Sequence, residues 1–116
     1  MSKISFEGIG ELVATFACEE TVQAGQVVKV TGPGTVGPCS DGDRFCGVAL
    51  SAGDGYAAVQ LAGFITVAAG EDVTEGWCAL VADGAGGVKA EASEADGTGS
   101  TYLVVEAADG SAVVLL

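Results

Sequence analysis

Side chains that could perform chemistry are few in this chain of 116 residues. It has no histidine, so a serine or cysteine nucleophile would lack its commonest partner base. Its acidic residues form close pairs within polar turns: Asp41 with Asp43, Glu71 with Asp72, and Glu94 with Asp96. A glycosidase carboxylate pair also needs a cleft with recognition groups, and one Trp and two Tyr supply little of that. We therefore expect no enzymatic activity and no catalytic residue.

The cysteines show no metal-binding spacing. The chain has four of them, and no two are separated by the two residues typical of a zinc site: Cys18, Cys39, Cys46 and Cys78. Without histidine, a zinc site would need all four thiolates or help from carboxylates. We expect free thiols that pack as small apolar side chains, and a Cys39–Cys46 disulfide is left open.

Two turn sequences resemble ligand-binding loops in part. Ser40-Asp-Gly-Asp43 has the beginning of a calcium loop but lacks the full acidic spacing and the closing glutamate, so we expect a solvated turn. Asp83-Gly-Ala-Gly-Gly87 lacks the lysine and the Ser/Thr of a phosphate-binding loop. We expect neither a metal nor a cofactor, and calcium binding stays as a minor alternative.

The charge balance limits the possible partners. Sixteen acidic against four basic residues give a net charge of −12, which repels phosphate backbones and anionic lipid. No apolar run approaches the roughly 20 residues of a transmembrane helix. The first residues do not have the pattern of a secretory signal peptide. We expect no nucleic-acid or membrane partner, and assembly in a cytosol.

The stretch at residues 56–67 organises the predicted fold. It alternates apolar and polar residues as two short strands, with Gly63 between them. A single glycine inside a strand pattern marks a bulge or a bend at a barrel corner. Trp77, the only indole, is expected either to anchor the core or to lie in a subunit interface.

Similar strand patterns recur along the chain, separated by turn signals. Hydrophobic residues make up 49% of the sequence and aromatic residues only 6%, which predicts a core of Val, Ala, Leu and Ile. Further strands are predicted at residues 11–18, 26–31, 35–38, 45–50, 77–82, 88–91, 101–106 and 112–116. The spacing predicts an all-β single domain, a β-barrel or sandwich of about nine to ten short strands with little helix. Residues 1–8 are predicted to form an N-terminal arm, and residues 9–116 the barrel-like domain.

The order of these segments resembles a known family of phage proteins. The motifs that carry the likeness are Gly25-Gln-Val-Val-Lys-Val30, Gly34-Thr-Val-Gly-Pro38, Phe45-Cys-Gly-Val48, Val59-Gln-Leu-Ala-Gly-Phe-Ile-Thr-Val67, Gly76-Trp-Cys-Ala-Leu-Val81, Asp83-Gly-Ala-Gly-Gly-Val88 and Tyr102-Leu-Val-Val105. Strand order and glycine placement in these segments are similar to those of the capsid decoration, or cement, proteins of tailed phages and prophages.

The resemblance implies a non-enzymatic structural protein on the capsid exterior of a virion, assembled in the cytoplasm of a bacterial host. Its expected partners are the major capsid protein and itself, as a homotrimer at three-fold positions that reinforces the shell. Possible interface residues are Ile4, Phe6, Phe64 and Trp77. Two alternatives stay open: another virion or tail component with the same fold, and a small-ligand-binding barrel whose pocket is lined by residues 56–67 and Trp77.

Overall fold

The computed structural model describes residues 9–91 and 100–116, and within these ranges the chain forms ten β-strands and no helix. The strands are β1 (Leu12–Cys18), β2 (Val27–Gly32), β3 (Thr35–Pro38), β4 (Gly47–Gly53), β5 (Tyr56–Ala62), β6 (Phe64–Ala68), β7 (Gly76–Ala82), β8 (Val88–Ala90), β9 (Ser100–Ala108) and β10 (Ser111–Leu115). The predicted all-β domain is confirmed. The predicted arm, residues 1–8, lies outside the described ranges.

The strands divide into two sheets in chain order. β1 to β5 close into a barrel in the order β1-β3-β2-β4-β5, and β6 to β10 form a five-stranded sheet in the order β6-β10-β9-β7-β8, called here the second sheet. The barrel closes where β1 pairs with β5 in antiparallel and with β3 in parallel orientation. The predicted fold class is therefore confirmed, and the domain combines a closed barrel with an open sheet.

Gly63 is the corner at which the chain leaves the barrel for the second sheet. Its φ is +95°, and a Cβ atom added there would lie 2.6 Å from the carbonyl carbon of Gly10. Only glycine accommodates both that backbone conformation and that close approach. The amide of Phe64 donates to the carbonyl of Ile9, and the amide of Leu116 donates to the carbonyl of Gly63, each at 3.0 Å. The predicted glycine corner is confirmed.

Gln60 holds this corner from inside. Its side chain is 2% exposed, and its Nε2 donates to the carbonyl oxygens of Ala62 and Phe64, each at 3.1 Å. A buried amide is costly unless its polar atoms find partners, and this one finds them on both sides of Gly63.

Two hydrophobic cores share one wall. Val22, Val28, Val36, Ala49, Ala57 and Val59 fill the barrel. The other core lies between the barrel and the second sheet: Val27, Phe45, Val48, Ile65, Val67, Val73, Leu80, Ala82, Val88, Val104, Ala112 and Val114. Since successive strand residues face opposite ways, Val27 and Val28 enter different cores, as do Val48 and Ala49.

Two Asp-Gly dipeptides form hairpin turns in the described ranges, as this sequence favours. Asp54 and Gly55 join β4 to β5 with φ of 55° and 82°, and Asp109 and Gly110 join β9 to β10 with φ of 54° and 81°. Positive φ at both central residues matches the twist of antiparallel strands. Within the described ranges there is no helix of the length and apolarity needed to cross a membrane.

Candidate interaction face of the second sheet

The acidic turn at residues 40–43 is satisfied within the protein. Asp43 Oδ2 accepts hydrogen bonds from the Lys29 ammonium at 2.5 Å and from the Ser40 amide at 2.8 Å. The Lys29 hydrogen bond is the main cause that lowers the pKa of Asp43, and the same contact raises the pKa of Lys29. Asp41 pairs with Lys89 at 2.5 Å. Each carboxylate therefore faces a lysine.

Across the described ranges, the structure brings no three metal-ligating side chains together. Of the other acidic pairs singled out in the sequence, Glu71 and Asp72 are exposed, and residues 94 and 96 lie outside the described ranges. The arrangement at residues 40–43 stabilises a turn, and its geometry offers no preformed calcium cage.

The cysteines occupy apolar surroundings as free thiols. Burial raises the pKa of Cys39 to about 11 and also raises the pKa of Cys46. Cys39 packs against the core beneath the second sheet, whereas Cys46 packs against the barrel core. Both are free, as are Cys18 and Cys78, so the disulfide left open from the sequence is not formed. The raised pKa values keep the thiols of Cys39 and Cys46 protonated at neutral pH, which makes these two poor nucleophiles.

In the glycine-rich turn after β7, the backbone amides bind the carboxylate of Asp83 from the same turn. Asp83 Oδ1 accepts hydrogen bonds from the amides of Ala85 at 2.7 Å and Gly87 at 3.0 Å. Those amides are the groups that a phosphate-binding loop would direct at its ligand. The loop is therefore a closed turn, as predicted from the sequence.

A row of large apolar side chains crosses the outer face of the second sheet. Leu115 lies opposite Phe64 on β6 and opposite Leu103 on β9, and Leu103 in turn lies opposite Trp77 on β7. Directly paired residues of an antiparallel sheet point to the same face. We call these four residues, Phe64, Leu115, Leu103 and Trp77, the apolar row.

The apolar row faces away from both cores. None of its members belongs to either core cluster, whereas their strand neighbours Ile65, Val104 and Val114 are buried in the core beneath the sheet. Trp77 is 74% exposed, and the other members of the row are half-buried. The interpretation of Trp77 as a core anchor is wrong, because strand alternation places Cys78 and Leu80 inward instead.

An outward apolar row departs from the usual pattern of an antiparallel sheet, which packs one face on the core and turns polar side chains to water. Val113 also faces outward, beside the row, and pairs with Glu106. A register shift at Val113/Val114 brings Glu106 to this face. Simple alternation along β9 would put Glu106 on the same face as Tyr102 and Val104, but the β-bulge adds one residue to β9 and reverses its direction.

The face is poor in charge although the chain is strongly acidic. Among the residues of β6, β7, β9 and β10, Glu106 is the only charged one. Glu75 borders the sheet, and its Oε2 accepts a hydrogen bond from the Ala107 amide at 2.9 Å. Hydrogen bonds from backbone amides lower the pKa of Glu75, so that this carboxylate stays ionised at neutral pH. The two carboxylates give the face a negative character.

The predicted interface residues therefore divide into two groups. Phe64 and Trp77 lie in the same cross-strand row, while Ile4 and Phe6 belong to residues 1–8, outside the described ranges. Sequence reasoning missed Leu103 and Leu115. The available signal was the absence of polar alternation in Val113-Val-Leu-Leu116, which is typical of a strand covered on both faces.

The residues proposed to line a ligand pocket are separated. Tyr56 borders a cleft on the barrel surface together with Thr15 and Ser51. Trp77 lies instead on the outer face of the second sheet. The barrel interior is filled by valine and alanine side chains.

Comparison with protein-family models gives no match for this chain, and comparison with curated proteins gives none either.

Proposed function

We propose that this protein is a non-enzymatic structural component of a tailed phage, which decorates the capsid exterior and stabilises it by binding the major capsid protein and by self-association as a trimer. The apolar row carries this proposal. A strongly acidic domain that keeps a tryptophan 74% exposed on a sheet face has a surface suited to a protein partner.

The surroundings of the polar side chains support a structural role. The carboxylates at residues 41 and 43 contact lysines, the half-buried thiols are free, and the glycine-rich turn binds its own aspartate. These groups make their contacts within the folded chain and stabilise it. The motifs that resemble those of capsid decoration proteins lie on the barrel and on the second sheet, and the acidic chain is repelled by packaged DNA.

Self-association has a separate candidate surface on the barrel. Leu12 and Val30 are 57% and 58% exposed on its strands β1 and β2. Exposed apolar side chains of this kind pack together in homo-oligomers. Assembly into a trimer would place several copies of the apolar row around one axis and increase the strength of binding to a repetitive shell.

The test is co-expression with a major capsid gene from the genome that encodes this chain, followed by sedimentation of expanded shells and counting of copies. We expect stoichiometric co-sedimentation in multiples that fit three-fold positions. A protein that stays wholly in the supernatant of mature, expanded shells contradicts the proposal. Recovery with tails instead of heads would favour the alternative of a tail component.

A further inference from the structure

The apolar row and its neighbours form a small contact area on the outer face of the second sheet. It crosses four strands, about 14 Å at 4.8 Å per strand spacing, and β10 extends it over about 17 Å. The product, about 240 Å², is well below the ~800 Å² that each partner contributes to a stable standard interface. A single contact through this face would therefore be weak for any partner, so the area does not distinguish a second copy from another protein.

The charge of the face decides which kind of partner fits it. Glu106 lies beside the apolar row, and Glu75 stays ionised at the edge of the sheet. β6, β7, β9 and β10 contain no lysine or arginine, and Lys89, which lies on the edge strand β8 opposite Val81, is already paired with Asp41. A second copy of this face would offer Glu106 and Glu75 no lysine or arginine from these four strands, and each chain carries a net charge of −12.

We propose that the outer face of the second sheet, centred on Trp77, binds a protein surface with an apolar centre and a border of lysine or arginine side chains. The apolar centre covers Trp77 and Leu103, and the basic border pairs with Glu106 and Glu75. The inference rests on the proposed function, in which that surface belongs to the shell, and it assigns the shell contact to this face and self-association to another.

The experiment uses the whole chain with two probes: expanded shells of the candidate capsid protein, and a synthetic peptide of alternating leucine and lysine. Trp77→Ser removes the most exposed member of the row, and Tyr56→Ser, at an aromatic that is 62% exposed on the barrel, is its matched control. Glu106→Gln tests the charge, with Glu20→Gln in an exposed turn as its control. Far-ultraviolet circular dichroism checks that each variant folds.

We expect Trp77→Ser to weaken binding of both probes by about tenfold or more and Tyr56→Ser to change it less than about twofold. Raising the salt concentration should weaken binding, and Glu106→Gln should reduce this salt dependence more than Glu20→Gln does. Equal binding of wild type and Trp77→Ser to the peptide overturns the inference.

The two proposals fail in different ways. Shells that bind wild type and Trp77→Ser equally would leave the proposed function standing and overturn the assignment of the face. Shells that bind neither, with a peptide that still distinguishes Trp77→Ser from Tyr56→Ser, would overturn the proposed function and support the face. A concentration-dependent dimer in sedimentation velocity that Trp77→Ser abolishes would assign the face to a second copy and overturn the inference.

Discussion

Gln60 and Phe64 are joined across the corner between the two sheets: Gln60 Nε2 donates to the carbonyl oxygen of Phe64 at 3.1 Å. The same nitrogen donates to Ala62 at 3.1 Å, so one buried amide fixes the chain on both sides of Gly63. Phe64 is also the first residue of the apolar row. The bend that links the sheets therefore also sets the position of one end of the interaction face.

Replacing Gln60 tests how much its two side-chain hydrogen bonds contribute to the free energy of unfolding. Gln60→Leu keeps a similar volume but leaves the carbonyls of Ala62 and Phe64 without this donor, so we expect the free energy of unfolding to fall by about 1–3 kcal/mol. Urea unfolding measures it. Gln23→Leu, at an exposed turn position, is the control and should change stability by less than about 0.5 kcal/mol. Equal stability of Gln60→Leu and wild type would show that these two hydrogen bonds make no net contribution to the free energy of unfolding.

Gly63→Ala separates backbone strain from steric overlap when it is compared with Gly25→Ala. Both glycines have a positive φ, +95° and +90°, but only at Gly63 would the new Cβ meet backbone atoms closer than 3 Å. We expect Gly25→Ala to cost about 1–2 kcal/mol of unfolding free energy and Gly63→Ala clearly more, on the order of 3 kcal/mol. Urea midpoints measure both. Equal losses would mean that Gly10 moves aside without cost.

The strands and hairpin turns could be predicted from the sequence because patterns among neighbouring residues determine them. Alternating apolar residues located the strands, and Asp54-Gly55 and Asp109-Gly110 identified hairpin turns whose positive φ values they accommodate. The glycine corner was predictable for the same reason, since Gly63 interrupts an otherwise regular strand pattern.

Features that depend on pairing between distant residues could not be predicted. The parallel contact of Ala17 with Thr35 closes the barrel, and no local pattern encodes it. The buried position of Gln60 depends on carbonyls at a corner formed only in the fold. Hydropathy also gave no indication of which face Trp77 occupies, and the β-bulge in β9 moved Glu106 to the opposite face from the one that simple alternation predicts.

Asp43→Asn should reduce stability at neutral pH and have little effect in acid. The Lys29 hydrogen bond lowers the pKa of Asp43 in the folded state, so its contribution is present above the ordinary value of 3.8 and is lost as the pH falls through the lower folded-state value. Urea unfolding of both proteins at neutral pH and at successively lower pH values measures the difference. Asp109→Asn, in the exposed β9–β10 turn, is the control. A difference that grows toward acid pH would contradict this reading of the ion pair.

Cys39 should resist alkylation in the folded protein. Burial raises the pKa of its thiol from 9.0 to about 11, so at a mildly alkaline pH the thiolate fraction falls by about 100-fold relative to the ordinary value. We expect iodoacetamide to modify Cys39 at least about that much more slowly in the native protein than in urea. Mass spectrometry of the peptide that contains Cys39 measures the rate. Equal rates in both conditions would place this thiol in water.

Val27 and Val28 make β2 a partition between the two cores, with one residue filling each side. Removing either half of the molecule would expose valine side chains of β2 to water. We therefore expect the barrel and the second sheet to unfold together on heating. Calorimetry should record one transition for both. For the same reason we expect neither half to fold alone, so selection acts on the barrel and the second sheet together.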